Sequence, residues 1–290
     1  LTFRPYSAFN SFETHPNDLL QSLQEKVDKA TYELYGIQSK ERIMIQSELG
    51  ERSPQIVWPY AQRLNTKQKA TEHVARLISY CLLSAIQDDP DGILPLTEAS
   101  GHASVLSHVQ TRLESHFGES AAYQVELDSA DYLGRPLGEW LLKNFWKDFH
   151  IKWYKKRPIL WQLQSQKGHF ACLVQIHKMD RDTLPKVRSQ YLWTSRNACQ
   201  AALESARLRE DSGDKSAARE VADLESMLDD LNDFERRLSD VIEARIPCEI
   251  PDWAQGPYRN GAYDPVLDDG VKVNILPLQE AGILAKAKVV

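Results

Sequence analysis

The sequence predicts a mainly α-helical protein with a small β-hairpin, an α+β helical bundle carrying a protruding antiparallel helix pair. Three observations predict it. Apolar residues recur at three-and-four spacing through most of the chain, the period of a helix with one buried face. Two short apolar runs flank a Lys167-Gly168 turn, as in a hairpin. Two long amphipathic segments are joined by the polar break Asp211-Ser212-Gly213-Asp214, which should fold them back on each other. At 290 residues, 42% hydrophobic and 26% charged, the chain has a globular composition and can form one large domain or two ordinary ones.

Five segments are expected. Residues 1–14 are aromatic and irregular and read as the tail of an upstream domain. Residues 15–150 form a helical region. Asn17 or Asp18 can cap a helix whose apolar positions run from Leu19 to Leu34 and which ends at Gly36. Further helices are predicted over 39–49, 66–87, 102–117, 120–130 and 136–154, with a loop around Ser53-Pro54 and Trp58-Pro59 and a turn at Asp88-Asp89-Pro90-Asp91-Gly92. Residues 151–182 hold a basic, aromatic helix end and the hairpin, with strands over Ile159 to Gln164 and Phe170 to His177. Residues 183–246 form the helical hairpin. Pro185 lies in its first turn, where a missing N–H costs little, and Glu235 interrupts an otherwise apolar stripe. The segment 247–290 is loop-rich, with a strand expected at 271–275 and a short helix near 278–284.

Charge and cysteine usage narrow the function classes. The net charge of −6 argues mildly against a compact module that grips nucleic acid unaided, although local patches matter more than the sum. No run approaches the roughly 18 to 20 apolar residues that cross a bilayer, so no membrane partner is expected. Cys81, Cys172, Cys199 and Cys248 are far apart and form no C-x-x-C pair, which predicts buried reduced thiols and a bacterial-type cytoplasm. The opening Leu1-Thr2-Phe3-Arg4-Pro5 has neither an initiator Met nor a signal-peptide pattern, and reads as the start of a piece of a longer protein.

Catalytic signatures are weak. An adenine-amine methyltransferase needs a glycine-rich loop for its methyl donor and an Asn/Asp-Pro-Pro-aromatic tetrapeptide to hold the flipped base. The chain has no G-x-G-x-x-G and no Pro-Pro dipeptide, so no catalytic residue and no cofactor are assigned to it. For a metal-dependent nuclease, Pro251-Asp252 with Asp269-Gly270-Val271-Lys272 has one residue too many before the lysine. Asp89, Asp91, Gly92 and Glu98 mimic a calcium loop, but Gln87 would stand first and Pro90 and Pro95 stiffen the backbone, so an ordinary turn is expected. His102 and His108 are six apart and share no helix face. No metal site is assigned.

The positive signal is the run Lys143, Lys147, Lys152, Lys155, Lys156 and Arg157, interleaved with Trp146, Phe149, Trp153 and Tyr154. Cations beside aromatics suit a phosphate backbone, and Lys147, Lys152, Lys155, Lys156 and Arg157 are the candidate DNA contacts. An amphipathic helix that buries its aromatics and solvates its lysines accounts for the same pattern.

Five ordered pieces carry a resemblance. They are Val27-Asp28-Lys29-Ala30-Thr31-Tyr32-Glu33-Leu34-Tyr35-Gly36, Asp91-Gly92-Ile93-Leu94-Pro95-Leu96-Thr97, Lys155-Lys156-Arg157-Pro158-Ile159-Leu160-Trp161, Asp182-Thr183-Leu184-Pro185-Lys186-Val187-Arg188, and the stretch from Leu267 to Gln279. Together they resemble the C-terminal part of the adenine-specific DNA methyltransferases of bacteriophage-exclusion systems, the PglX or BrxX family, relatives of fused type II restriction-modification enzymes. The resemblance implies a parent enzyme acting on double-stranded DNA with S-adenosylmethionine as methyl donor, its catalytic motifs lying upstream. It implies for this chain a non-catalytic accessory role in DNA binding or target recognition. The alternative is a scaffold whose acidic helix pair, with Asp223, Asp229, Asp230 and Asp233 on its outer face, docks other defence-system proteins.

Overall fold

In a computed structural model of the protein, residues 25–26, 28–49, 64–97, 103–154, 158–245 and 252–286 are described. The chain divides into two units, Leu1–Val74 and Ala75–Val290. In the first, a helix over 28–34 ends at Gly36, whose φ of 65° places it in the left-handed region. The Ile37 N–H donates to Tyr32 O (2.8 Å) and the Gly36 N–H to Glu33 O (3.2 Å), so the last carbonyls are satisfied by a left-handed cap. Helix α1 (Ser39–Leu49) opens with the Gln38 N–H donating to Glu41 Oε2 (2.7 Å), half of a capping box. The predicted Asn17/Asp18 cap and the Ser53 to Pro59 loop lie outside the described residues.

Helix α2 (Thr66–Asp88) begins on a reciprocal cap between Asn65 and Gln68. It ends in a turn built by Asp89, whose Oδ1 accepts the N–H groups of Asp91 and Ile93. Lys178 Nζ donates to the carbonyls of Gln87 (2.7 Å) and Asp89 (2.5 Å), a cation placed where the helix dipole is negative. The Asp-Pro-Asp-Gly segment is thus a turn held by its own side chain.

Strand β1 (Ile93–Pro95) follows. Helices α3 (Val105–Phe117) and α4 (Glu119–Leu133) pack as a pair, with Ser104 Oγ capping the first and Gly134 closing the second at φ 76°. Helix α5 then runs continuously through Leu137–Trp140, a π-helical stretch Leu141–His150, and Ile151–Tyr154. The wider winding is seen in the Ile151 N–H, which donates to Trp146 O five residues back.

Strands β2 (Leu160–Gln164) and β3 (Ala171–Gln175) form the predicted hairpin, with Gly168 at φ 82° in the turn. The sheet is antiparallel in the order β1-β3-β2, with Leu94 opposite Leu173 and Gln162 opposite Leu173 on the other side. Its central strand is buried on both faces, which explains why the sequence shows a continuous apolar run and no alternation.

Helix α6 comprises Thr183–Lys186, a second π-helical stretch Val187–Leu192, and Trp193–Asp211; α7 spans Ala217–Ile242. Ion pairs Arg196–Glu235, Arg207–Glu225 and Arg209–Glu220 climb one helix as they descend the other, so the pair is antiparallel, as predicted. Glu235, the break in the apolar stripe, accepts from Trp193 Nε1 (2.6 Å) and pairs with Arg196. Toward the tip, Leu203, Ala206 and Val221 form a separate small core with Leu224 and Leu228.

The C-terminal segment corrects the sequence reading. Residues 271–275, predicted as a strand, belong to helix α8 (Val271–Glu280), which also takes up the start of the helix expected near 278–284. The alternation Val271, Val273, Ile275 is too short to decide between periods. The Asn274 side chain decides locally, donating to the carbonyls of Val266 (2.6 Å) and Gly270 (3.2 Å) and accepting the Val266 N–H. The strand-like partner lies further on. Ile283 O accepts the Gln164 N–H (2.8 Å) and the Ala285 N–H donates to Gln162 O (2.9 Å), covering the outer edge of β2.

Candidate functional site

The basic-aromatic helix α5 divides by face. Phe145 and Trp146 are fully buried, while Lys143, Lys147 and Lys152 are exposed. Trp146 Nε1 donates to Leu160 O (2.6 Å), and His150 Nε2 accepts the Leu160 N–H (3.0 Å). One residue at the start of β2 is therefore gripped through both backbone groups by side chains one helical turn apart. Burial pushes the His150 pKa down to about 3, and the rings of Tyr154 (4.5 Å) and Phe145 (5.7 Å) surround a histidine that is neutral. Arg76 and Lys152 both lie over the Trp153 ring, at 4.3 and 5.4 Å.

Of the five predicted DNA contacts, Lys147 and Lys152 stand on the exposed side of α5. Lys155, Lys156 and Arg157 lie outside the described residues. Lys143 is drawn to Glu139 (2.9 Å) and contributes less free charge than its sequence position suggests.

A second centre, which sequence reasoning missed, joins the hairpin turn to α7. Asp230 is a carboxylate with its side chain 2% exposed. Its Oδ2 accepts from Ser165 Oγ (2.6 Å) and His169 Nδ1 (3.0 Å), and its Oδ1 accepts the Lys167 N–H (2.9 Å). Burial alone would raise the carboxyl, but the hydrogen bonds from Ser165, Lys167 and His169 outweigh it and hold the pKa below the ordinary carboxylate value. Phe234, one turn further along, stacks on Phe170 at 5.2 Å. The signal in the sequence is slight, an acid four residues before the phenylalanine that reaches the sheet.

This arrangement corrects the expected outer-face position of Asp230. Asp230 is buried against the turn because the turn presents N–H and O–H donors that need an acceptor. Asp233 is half-buried between Arg236 and Arg237, at 2.6 Å from each. Only Asp223 and Asp229 of the four named acids are exposed.

The three described cysteines are free and buried, and burial raises Cys81 to about 11 and Cys172 as well. They are packing residues.

The fold is therefore a mainly α-helical scaffold with a small antiparallel sheet locked between helices, and no described helix is long and apolar enough to cross a membrane. Its sequence relates it to the BrxX and PglX adenine-specific methyltransferases. It is 29% identical to adenine-specific methyltransferase BrxX of Escherichia coli O9:H4 (strain HS) over 205 residues, 64% of this chain and 16% of that protein. It is 24% identical to adenine-specific methyltransferase PglX of Lacticaseibacillus casei (strain Zhang) over 161 residues, 51% of this chain and 13% of that protein. The chain thus spans less than a fifth of the length of these curated relatives. No family model matches it.

Proposed function

We propose that this chain is a non-catalytic accessory region of an adenine-specific DNA methyltransferase of a phage-defence system, and that it supports binding of double-stranded DNA. The relation to BrxX and PglX carries the reading. The parent enzyme, acting in the cytoplasm, would take S-adenosylmethionine as methyl donor in regions outside this chain. The contribution of this chain is cationic: Lys147 and Lys152 on the solvent side of α5, followed by Lys155, Lys156 and Arg157 where α5 leads to the hairpin. The buried Trp146 and His150 support it by tying α5 to Leu160, three residues beyond Arg157, so that both flanks of the basic run are anchored.

The test is DNA binding by the full-length protein across a salt series. Replacing Lys155, Lys156 and Arg157 with Ala is expected to weaken binding and to reduce the slope of log affinity against log salt by up to about 3, near 0.9 per lost phosphate contact. Unchanged affinity at low and high salt would overturn the reading.

A further inference from the structure

The charged residues of α5 share one face because the helix is wound wide. Lys143, Lys147, Asp148 and Lys152 are exposed, whereas Leu141, Phe145, Trp146 and His150 are buried. In each set the first and last residues are nine apart. In an α-helix nine residues make about two and a half turns, which would set Lys143 and Lys152 on opposite sides and drive one of them inward. Hydrogen bonds to the fifth residue back, as from the Ile151 N–H to Trp146 O, widen the turn to roughly 4.4 residues. Nine residues then close about two turns, and both sets fall into line.

The face so formed is cationic in a chain whose net charge is −6. From Arg135 to Tyr154 stand four cations, Arg135, Lys143, Lys147 and Lys152, against two acids, Glu139 and Asp148, and His150 is neutral. Glu139 is shared between Lys143 (2.9 Å) and Arg135 (3.6 Å). Arg76 of α2 lies over the Trp153 ring at 4.3 Å and Lys152 at 5.4 Å, so a cation from a second element stands at the end of the row. From Lys143 to Lys152 the helix rises by at most about 14 Å, the axial length of roughly four phosphates on one DNA strand.

Taking DNA binding as the role of this face, we propose that the π-helical winding of α5 builds a single row, Lys143, Lys147 and Lys152, that follows the phosphates of one strand, with Arg76 continuing it past Trp153. Lys143 joins on contact, when a phosphate replaces Glu139 as its partner. Such winding is rare, and the row of cations is what it is retained for here.

The full-length protein would be measured on one duplex across a salt series. Lys143→Ala, Lys147→Ala, Lys152→Ala and Arg76→Gln are each expected to reduce the slope of log affinity against log salt by up to about 0.9, while Lys143→Arg and Lys152→Arg keep it. Glu139→Gln, which releases Lys143, should raise affinity at low salt roughly two- to fivefold, and that gain should vanish when Lys143→Ala is added. A gain that survives in the double variant would mark plain charge removal and strike Lys143 from the row. An unchanged slope in Lys143→Ala and Lys152→Ala, beside a reduced one on replacing Lys155, Lys156 and Arg157, would overturn the row and leave DNA binding standing. Unchanged slopes in both sets would overturn the two together.

Discussion

Asp230 and His150 are polar groups inside apolar surroundings, and each is retained because backbone donors would otherwise be stranded. Replacing Asp230 with Ala leaves the Lys167 N–H and the Ser165 hydroxyl without their acceptor, a loss of about 3 kcal/mol in urea unfolding, with Asp230→Asn closer to about 1 to 2 kcal/mol. The folded carboxyl pKa is depressed, so this stabilisation is present above the unfolded value near 4 and is lost as pH falls through the folded one. The stability gap between wild type and Asp230→Asn should therefore close in acid; a gap constant from pH 7 to pH 2 would contradict the carboxylate's role. His150 acts in the opposite chemical sense but with the same slope. Its folded pKa near 3 lies below the ordinary 6.5, so between those values only the unfolded chain binds the proton and stability falls as pH drops. His150→Gln, which keeps an acceptor for Leu160, is expected to lose that pH dependence while remaining folded.

Among the elements, the sheet and the helix pair depend on contacts that their own sequences do not announce. The segment Ile283 to Ala285 covers the outer edge of β2, and Ile283 is fully buried. Ending the chain after Gly282 should expose an unpaired strand edge, lowering the unfolding midpoint and promoting aggregation detectable by light scattering. The helix pair was legible as far as its period, caps and polar link allowed, and its antiparallel register follows from the short connection. Its charge distribution was not legible. The sequence reading places Asp230 and Asp233 on the outer face, whereas the hairpin turn draws Asp230 inward and Arg236 and Arg237 hold Asp233 half-buried. The separate tip core makes a sharper experiment possible than removing the whole pair. Replacing residues 204–224 with a short Gly-Ser link removes most of the tip core but keeps Asp230 and Phe234. Near-UV circular dichroism of the buried Trp146 and Trp161 should be retained, and its collapse would show that the tip core supports the base.

For the whole molecule, the helical class, the hairpin, the paired helices and the relation to adenine-specific methyltransferases are legible along the chain, because each rests on local period, turn residues or ordered motifs. The basic run was visible for the same reason, since charge and aromatic spacing need no partner to be read. Long-range contacts decide that α5 buries its aromatics and solvates Lys147 and Lys152, that Ile93–Pro95 adds a third strand, and that 271–280 is helix while 283–285 meets the sheet. They also decide which acids face water. The physical reason is common to all of these. A side chain's burial, and a short segment's choice between helix and strand, are set by donors and acceptors contributed from distant parts of the chain, as Asp230 meets a turn some sixty residues before it.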